Sequence, residues 1–318
     1  MRASLTLLST LIAGVLTVLA QTHEKPVRSV TDPGVVTTRQ SITPAGVPTI
    51  FDGRVYGVAF GASSSTIYAL TGHGRNSQSQ VFHLDWAANK ILSRAAFSES
   101  PGLQGIIFDS LKGKAFVSAT LSGRAAKNPK GQARVLSVNG GAVSVVADDL
   151  GEHLTGAPAI APGSNNHIAV IPLVYNNRLA VIELESGKLI GHAQTGIAPF
   201  AAVINESGTT AYVSNWGGRF PRQGELTLPT GLDPKADQVV VDERGIAATG
   251  TVTRIDLTTL KTTQTIQVGL HPTGIAWDER RNRLYVANSN SDSVSVIDSA
   301  RNVVIQTRSL STKETRGF

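Results

Sequence analysis

The clearest alternation of apolar and polar positions runs through His271–Leu310. Leu284–Ala287 (LYVA) and Ser293–Ile297 (SVSVI) alternate, Val303–Thr307 alternates less cleanly, and Gly274–Trp277 leads as a short apolar run. In an extended run every second side chain falls on one face, so each of these segments predicts a half-buried strand. Asp278–Arg283 and Asp298–Asn302 supply the turns between them. A single sheet of four short strands cannot bury both of its faces. It needs neighbours built the same way, and those should be visible as repeats.

The repeats are present. Gly57–Phe60 and Gly105–Phe108 match Gly274–Trp277, and each glycine is followed at the same interval by Tyr68, Phe116 or Tyr285. Ala198–Val213 places Pro199 on Pro272, Ile204 on Trp277 and Tyr212 on Tyr285. In the second halves, Ile182-Glu183, Ile255-Asp256 and Ile297-Asp298 fall in register. A unit of roughly 40–45 residues with four strands has the period of a propeller blade. The predicted fold class is therefore all-β, a β-propeller of four-stranded blades with five recognisable. They run from about Val55 to Phe97, Gly102 to Asp149, Gly156 to Gly196, Ala198 to Gly269, and His271 to Leu310.

Alternation sends Phe60, Phe108, Trp277, Tyr68, Phe116 and Tyr285 to the faces between blades, where burial is expected. The N-terminal run Val35–Gly46 (VVTTRQSITPAG) reads as one more strand. The fifth blade already has its own fourth strand, so this surplus strand predicts an incomplete ring of at least six blades. The first and fifth blades should then lie apart in an open arc.

The step from Ile182 to Ile255 is 73 residues, against 42 from Ile255 to Ile297. The excess falls at about 216–249, between the second and third strands of the fourth blade. Loops beyond about 12–15 residues are uncommon unless functional or disordered. Gln238–Val241 (QVVV) is apolar, which predicts a small hairpin folded over one face.

Composition adds a compartment. Residues 1–20 combine Arg2 with the apolar run Leu5–Ala20, and small residues precede Gln21, which is the pattern of a secretory signal. Residues 21–34 are expected to be a disordered leader, and 35–318 the propeller. No later segment is apolar enough to span a bilayer. The chain has no cysteine, so it contains no disulfide and its stability rests on the core. An exported location, periplasmic or extracellular in a bacterium, is expected. The net charge of +6 is scattered, with one local run at Lys112, Lys114, Arg124, Lys127 and Lys130. Nucleic-acid binding calls for a denser basic stripe with interleaved aromatics, so no nucleic-acid partner is expected.

Ala211-Tyr-Val-Ser-Asn215 and Leu284-Tyr-Val-Ala-Asn288, with Val294–Asp298 following, resemble the YVTN β-propeller repeat, itself WD40-like in outline. Thr38–Gly46, Ser214–Arg219, Val240–Gly250 and Val268–Pro272 are similar to the YncE-like propeller of exported bacterial proteins. That resemblance implies a seven-bladed ring, where the count of strands predicts six or more. In many such proteins it also implies a following phosphoesterase domain of the alkaline-phosphatase superfamily, none of whose residues occur in this sequence.

Chemistry is harder to find. The seven histidines form no HxH or HExxH pair, and no serine sits in GxSxG, so no catalytic residue, metal or cofactor is assigned. The expected function is non-catalytic binding or scaffolding of an unidentified protein or small-molecule ligand. The alternative is a lactonase-like hydrolase working at the mouth of the central channel. Candidates for a site on that face are Asn215, Trp216, His271 and Asn288. Asp85, Asp256 and Asp298 recur after each third strand, where a carboxylate accepts turn N–H bonds.

Overall fold

The computed structural model describes residues 27–28, 49–51, 53–72, 78–122, 126–127, 130–161, 167–230 and 236–310. The predicted signal, the strand at Val35–Gly46 and the C-terminal tail lie outside these, as does nearly all of the leader. The described chain is all-β, and its helical content is two single 3-10 turns, Val174–Asn176 and Glu279–Arg281. Among the described residues no helix is long and apolar enough to cross a membrane.

A two-residue pair comes first, β1 (Val27–Arg28) with β2 (Thr49–Ile50). Five four-stranded antiparallel sheets follow. Sheet 1 is β3 (Arg54–Phe60), β4 (Thr66–Gly72), β5 (Ser79–Asp85) and β6 (Lys90–Phe97). Sheet 2 is β7 (Ser100–Asp109), β8 (Lys114–Leu121), β9 (Gln132–Asn139) and β10 (Ala142–Ala147). Sheet 3 is β11 (Ala159–Ile160), β12 (Ile168–Leu173), β13 (Arg178–Glu183) and β14 (Lys188–Gln194). Sheet 4 is β15 (Ile197–Ile204), β16 (Thr210–Gly218), β19 (Thr251–Asp256) and β20 (Lys261–Gln267), and sheet 5 is β21 (Pro272–Asp278), β22 (Arg283–Asn288), β23 (Ser293–Asp298) and β24 (Val303–Ser309). Between β16 and β19 the insertion forms its own hairpin, β17 (Thr227–Pro229) with β18 (Gln238–Val240).

The sheets are meanders that pack face to face in chain order, an arrangement like that of a β-propeller. Tyr68 and Leu70 of sheet 1 meet Ile106, Ala115 and Val117 of sheet 2. Phe116, Ala133 and Val135 meet Ala169, Ile171 and Ala180 of sheet 3. Val170, Leu179 and Val181 meet Ala202, Ala211 and Val213 of sheet 4, and Tyr212 and Val252 meet Leu284 and Val286 of sheet 5. None of these clusters joins sheet 1 to sheet 5. A strand between two neighbours is buried on both sides, as β8 is along nearly its whole length. The equivalent β22 alternates between buried and exposed, because among the described residues sheet 5 packs face to face on sheet 4 alone.

The repeated aromatics follow the same logic, and two of them correct the sequence expectation. Tyr68 stacks on Phe108 at 5.4 Å, and Tyr212 on Trp277 at 5.7 Å, each pair bridging consecutive sheets. Tyr68 and Phe116 are buried, and Phe108 and Trp277 are half-buried. Phe60 and Tyr285, however, are 71% and 37% exposed. They occupy the positions that would stack on a sheet before the first and after the fifth.

The turns use the carboxylates foreseen for them. Asp85 accepts from Ala88 N, Asp256 from Thr258 N and Thr259 N, and Asp298 from Ala300 N and Arg301 N. Asp109 and Asp278 do the same after first strands. Such side chains mimic a backbone turn partner.

Candidate functional site: an apolar cleft on the loop face

In each sheet the link from first to second strand and from third to fourth emerges on one side. The link from second to third, and the passage to the next sheet, emerges on the other. The first side carries mostly short, Asp-capped turns. The second carries the 219–250 insertion.

On that loop face lies a cleft of about 210 Å³, lined by residues of sheets 3, 4 and 5 and of the insertion, among them Leu154, Tyr175, Ala198, Trp216, Val239 and His271. Trp216 near the end of β16 forms its wall, backed by Phe200 at 5.3 Å between ring centroids. Val239 of the insertion hairpin packs with Trp216, Leu154 and the buried Val174, Ile197 and Ala198. The hairpin is therefore a wall of the cleft. Two further ties hold it. Asn177, left-handed at φ 51°, donates from Nδ2 to Asp237 at 2.7 Å and accepts from Ala198 N at 2.9 Å. Arg219 forks onto Glu225 at 2.5 and 2.8 Å, and this pairing holds the Glu225 carboxyl down to about 2. Gly218 makes the exit from β16 possible, since at φ +76° a Cβ would collide with Thr249.

His271 sits just before β21 in the left-handed region, φ 56°. Its ring centroid is 4.2 Å from that of Trp216, and Trp216 Nε1 donates to His271 Nδ1 at 2.5 Å. An indole N–H is only a donor, so Nδ1 must carry a lone pair, and the proton of the neutral ring sits on Nε2. Ser289 Oγ donates to the His271 carbonyl at 2.8 Å and lies 3.0 Å from Nδ1. Burial pushes the imidazole below its usual range, which favours this neutral form.

Of the four residues singled out in the sequence, Trp216 and His271 come together in the cleft. Asn215 and Asn288 do not reach it. Both are buried side-chain clips at equivalent strand ends. Asn215 accepts from Gly196 N at 3.1 Å and donates to Thr253 Oγ1 at 2.8 Å, while Asn288 donates to Ser293 and Ser295 hydroxyls at 3.1 and 2.9 Å. Leu154, Tyr175 and Val239 carried no signal in the repeat pattern, because they come from non-equivalent loops of different units.

A second, wider cavity of about 500 Å³ lies among the first strands of the sheets. First strands of sheets 1, 2, 4 and 5 and the approach to β11 line it, with small and apolar residues such as Gly57, Val58, Ala157, Ala201 and Gly274, together with Tyr56 and Gln104. Among the described residues no group of three or more His, Asp or Glu side chains is placed to hold a metal ion. Comparison of the sequence with protein-family models gave no match, and comparison with curated proteins gave none.

Proposed function

We propose that this chain is an exported β-propeller of the YVTN, YncE-like type that acts as a non-catalytic binding module. In this reading the protein works in the bacterial periplasm or outside the cell, and the loop face is where it meets its ligand. The observation that carries the proposal is the contrast between the two cavities. A hydrolase at the channel mouth needs acids, bases or metal ligands converging near the axis. Among the described residues, those lining the axial cavity are glycine, alanine, valine, isoleucine and proline, with the Gln104 amide and the Tyr56 phenol. Concave apolar surface with a few convergent polar groups is found instead in the cleft on the loop face, which is the character of a binding pocket. The exposed Phe60 and Tyr285 support the further reading that the five blades belong to a ring of six or seven, possessing the two halves of an interface that additional blades complete. The YncE-like resemblance adds that such a ring can precede a phosphoesterase domain in a longer protein.

The test is a turnover assay of the purified chain against a panel of lactones, with and without added divalent cations. The binding reading expects rates equal to the protein-free blank. Saturable hydrolysis that is abolished by Gln104→Ala, the polar amide of the axial cavity, would overturn it.

A further inference from the structure

The cleft around Trp216 has a size and a polarity that select a class of ligand. This inference goes beyond the binding-module reading and would stand even if the axial cavity proved catalytic. An apolar cavity of roughly 150 Å³ is enough to admit benzene in a protein core. The cleft here is about 210 Å³. It is below the roughly 300–1,000 Å³ of pockets for drug-sized ligands. One six-membered ring with a small substituent fills that volume.

The lining defines the rest. Leu154, Val174, Ala198, Val239 and Ala247 are aliphatic, and Trp216, Tyr175 and His271 offer ring faces and edges. A charged group entering there would lose its hydration with no opposite charge among the lining residues to replace it. Among the described residues no hydrogen bond engages His271 Nε2. Because Nδ1 accepts from Trp216, Nε2 carries the proton and can only donate while the ring is neutral. Bonding to Trp216 thus sets the tautomer, and the tautomer sets what the ligand must offer.

We infer that the cleft formed by Trp216, His271, Tyr175, Leu154 and Val239 is a binding site for a neutral single-ring aromatic compound bearing one hydrogen-bond acceptor, which His271 Nε2–H recognises. Trp216 supplies part of the wall, and the insertion hairpin supplies another part through Val239.

The experiment follows the indole Nε1–H resonances of Trp86, Trp216 and Trp277 by NMR, assigned by single Trp→Phe variants, while acetophenone is titrated into the full chain. The expected result is a saturable shift at Trp216 with a dissociation constant on the order of 1 mM or below. Ethylbenzene, which keeps the ring and lacks the acceptor, should bind about tenfold more weakly, and benzoate should leave Trp216 unshifted. His271→Phe should bring acetophenone and ethylbenzene to within about twofold of each other. Should that variant fail to fold, Ala247→Phe, which fills the cleft from the insertion, carries the test and should abolish both shifts. The inference is overturned if Trp216 shows no saturable response to either neutral ring, if benzoate binds as well as acetophenone, or if Ala247→Phe binds like the parent chain.

Discussion

At the scale of single residues, the fold depends on polar side chains buried at strand ends. Asn215 has both ends of its amide engaged, at Gly196 N and at the Thr251 and Thr253 hydroxyls. Asn288 has its Nδ2 engaged, but its buried Oδ1 has no hydrogen-bond partner among the described residues. Truncating a satisfied buried amide strands its partners, at about 1–3 kcal/mol per group, whereas removing an unsatisfied acceptor recovers part of that cost. Asn215→Ala should therefore destabilise the chain more than Asn288→Ala, as read from urea midpoints at constant slope; an equal or reversed order would contradict the hydrogen-bond assignment. The histidines add a pH dependence. Burial lowers the pKa of His83, which stacks on Tyr68, of His153, which stacks on Tyr175, and of His271. A lowered folded-state value means the unfolded chain takes up protons first. The stability these groups contribute is complete above the unfolded value of about 6.5 and is lost as the pH falls through their folded values below it. At His271 the incoming proton must also displace the Trp216 bond from Nδ1. The urea midpoint should drop between pH 7.5 and 5.5, and His271→Asn should reduce that drop; a midpoint that stays level or rises on acidification would refute the linkage.

At the scale of elements, the insertion departs from the four-stranded unit. Its hairpin leaves after Gly218 and returns at Thr251, and those ends are close, with Thr249 Oγ1 3.4 Å from Gly217 O. Joining Arg219 to Gly245 would replace the hairpin with a short loop and leave the pairing of β16 with β19 intact. Deleting 220–244 should keep the far-ultraviolet β signal while lowering the melting temperature, because Trp216, Ile197 and Val174 lose their Val239 cover. Loss of the β signal would show that the hairpin is instead integral to sheet 4. The position of this insertion was legible in the sequence, because Ile182, Ile255 and Ile297 repeat and the spacing is broken at one place only. The strand cores and the Asp-capped turns were legible for the same reason: each recurs, and recurrence exposes a structural role. The cleft was only half legible. Trp216 and His271 are two of the four candidates the sequence offers, but Leu154, Tyr175 and Val239 meet them only through the stacking of three sheets. Pairing and alternation do not encode which loops converge. The pattern also placed Phe60 and Tyr285 at buried positions, since it specifies which way a side chain points and not whether a neighbour is there to receive it.

At the scale of the whole molecule, the question is what the two terminal faces mean. Tyr212 and Tyr285 make the comparison internal to one chain. They occupy the same position of the same strand in consecutive sheets, paired to Val203 and Arg254 in one case and to Ala276 and Val296 in the other. Tyr212 is 3% exposed, stacked on Trp277 and enclosed with Val252, Leu284 and Val286; Tyr285 is 37% exposed. Truncating a fully packed aromatic costs roughly 3–5 kcal/mol, because transfer and cavity costs add. Truncation at a bare face forfeits only partial contacts and leaves no cavity, and such surface changes usually stay within about 0.5 kcal/mol. In this chain Tyr212→Ala should therefore cost several kcal/mol in urea unfolding, and Tyr285→Ala less than a third as much. Phe60→Ala should behave like Tyr285→Ala, since Phe60 stands at the other bare face. If Tyr285→Ala and Phe60→Ala instead cost as much as Tyr212→Ala, the two terminal faces must be covered in solution, by each other in a closed ring or by another copy. Sedimentation of the parent chain separates those cases, a monomer pointing to closure and a larger species to pairing between copies. A low cost at both positions leaves two unpartnered faces whose side chains match the stacked pairs inside the arc, which is the condition for further blades to dock there with the same geometry that joins sheet 4 to sheet 5.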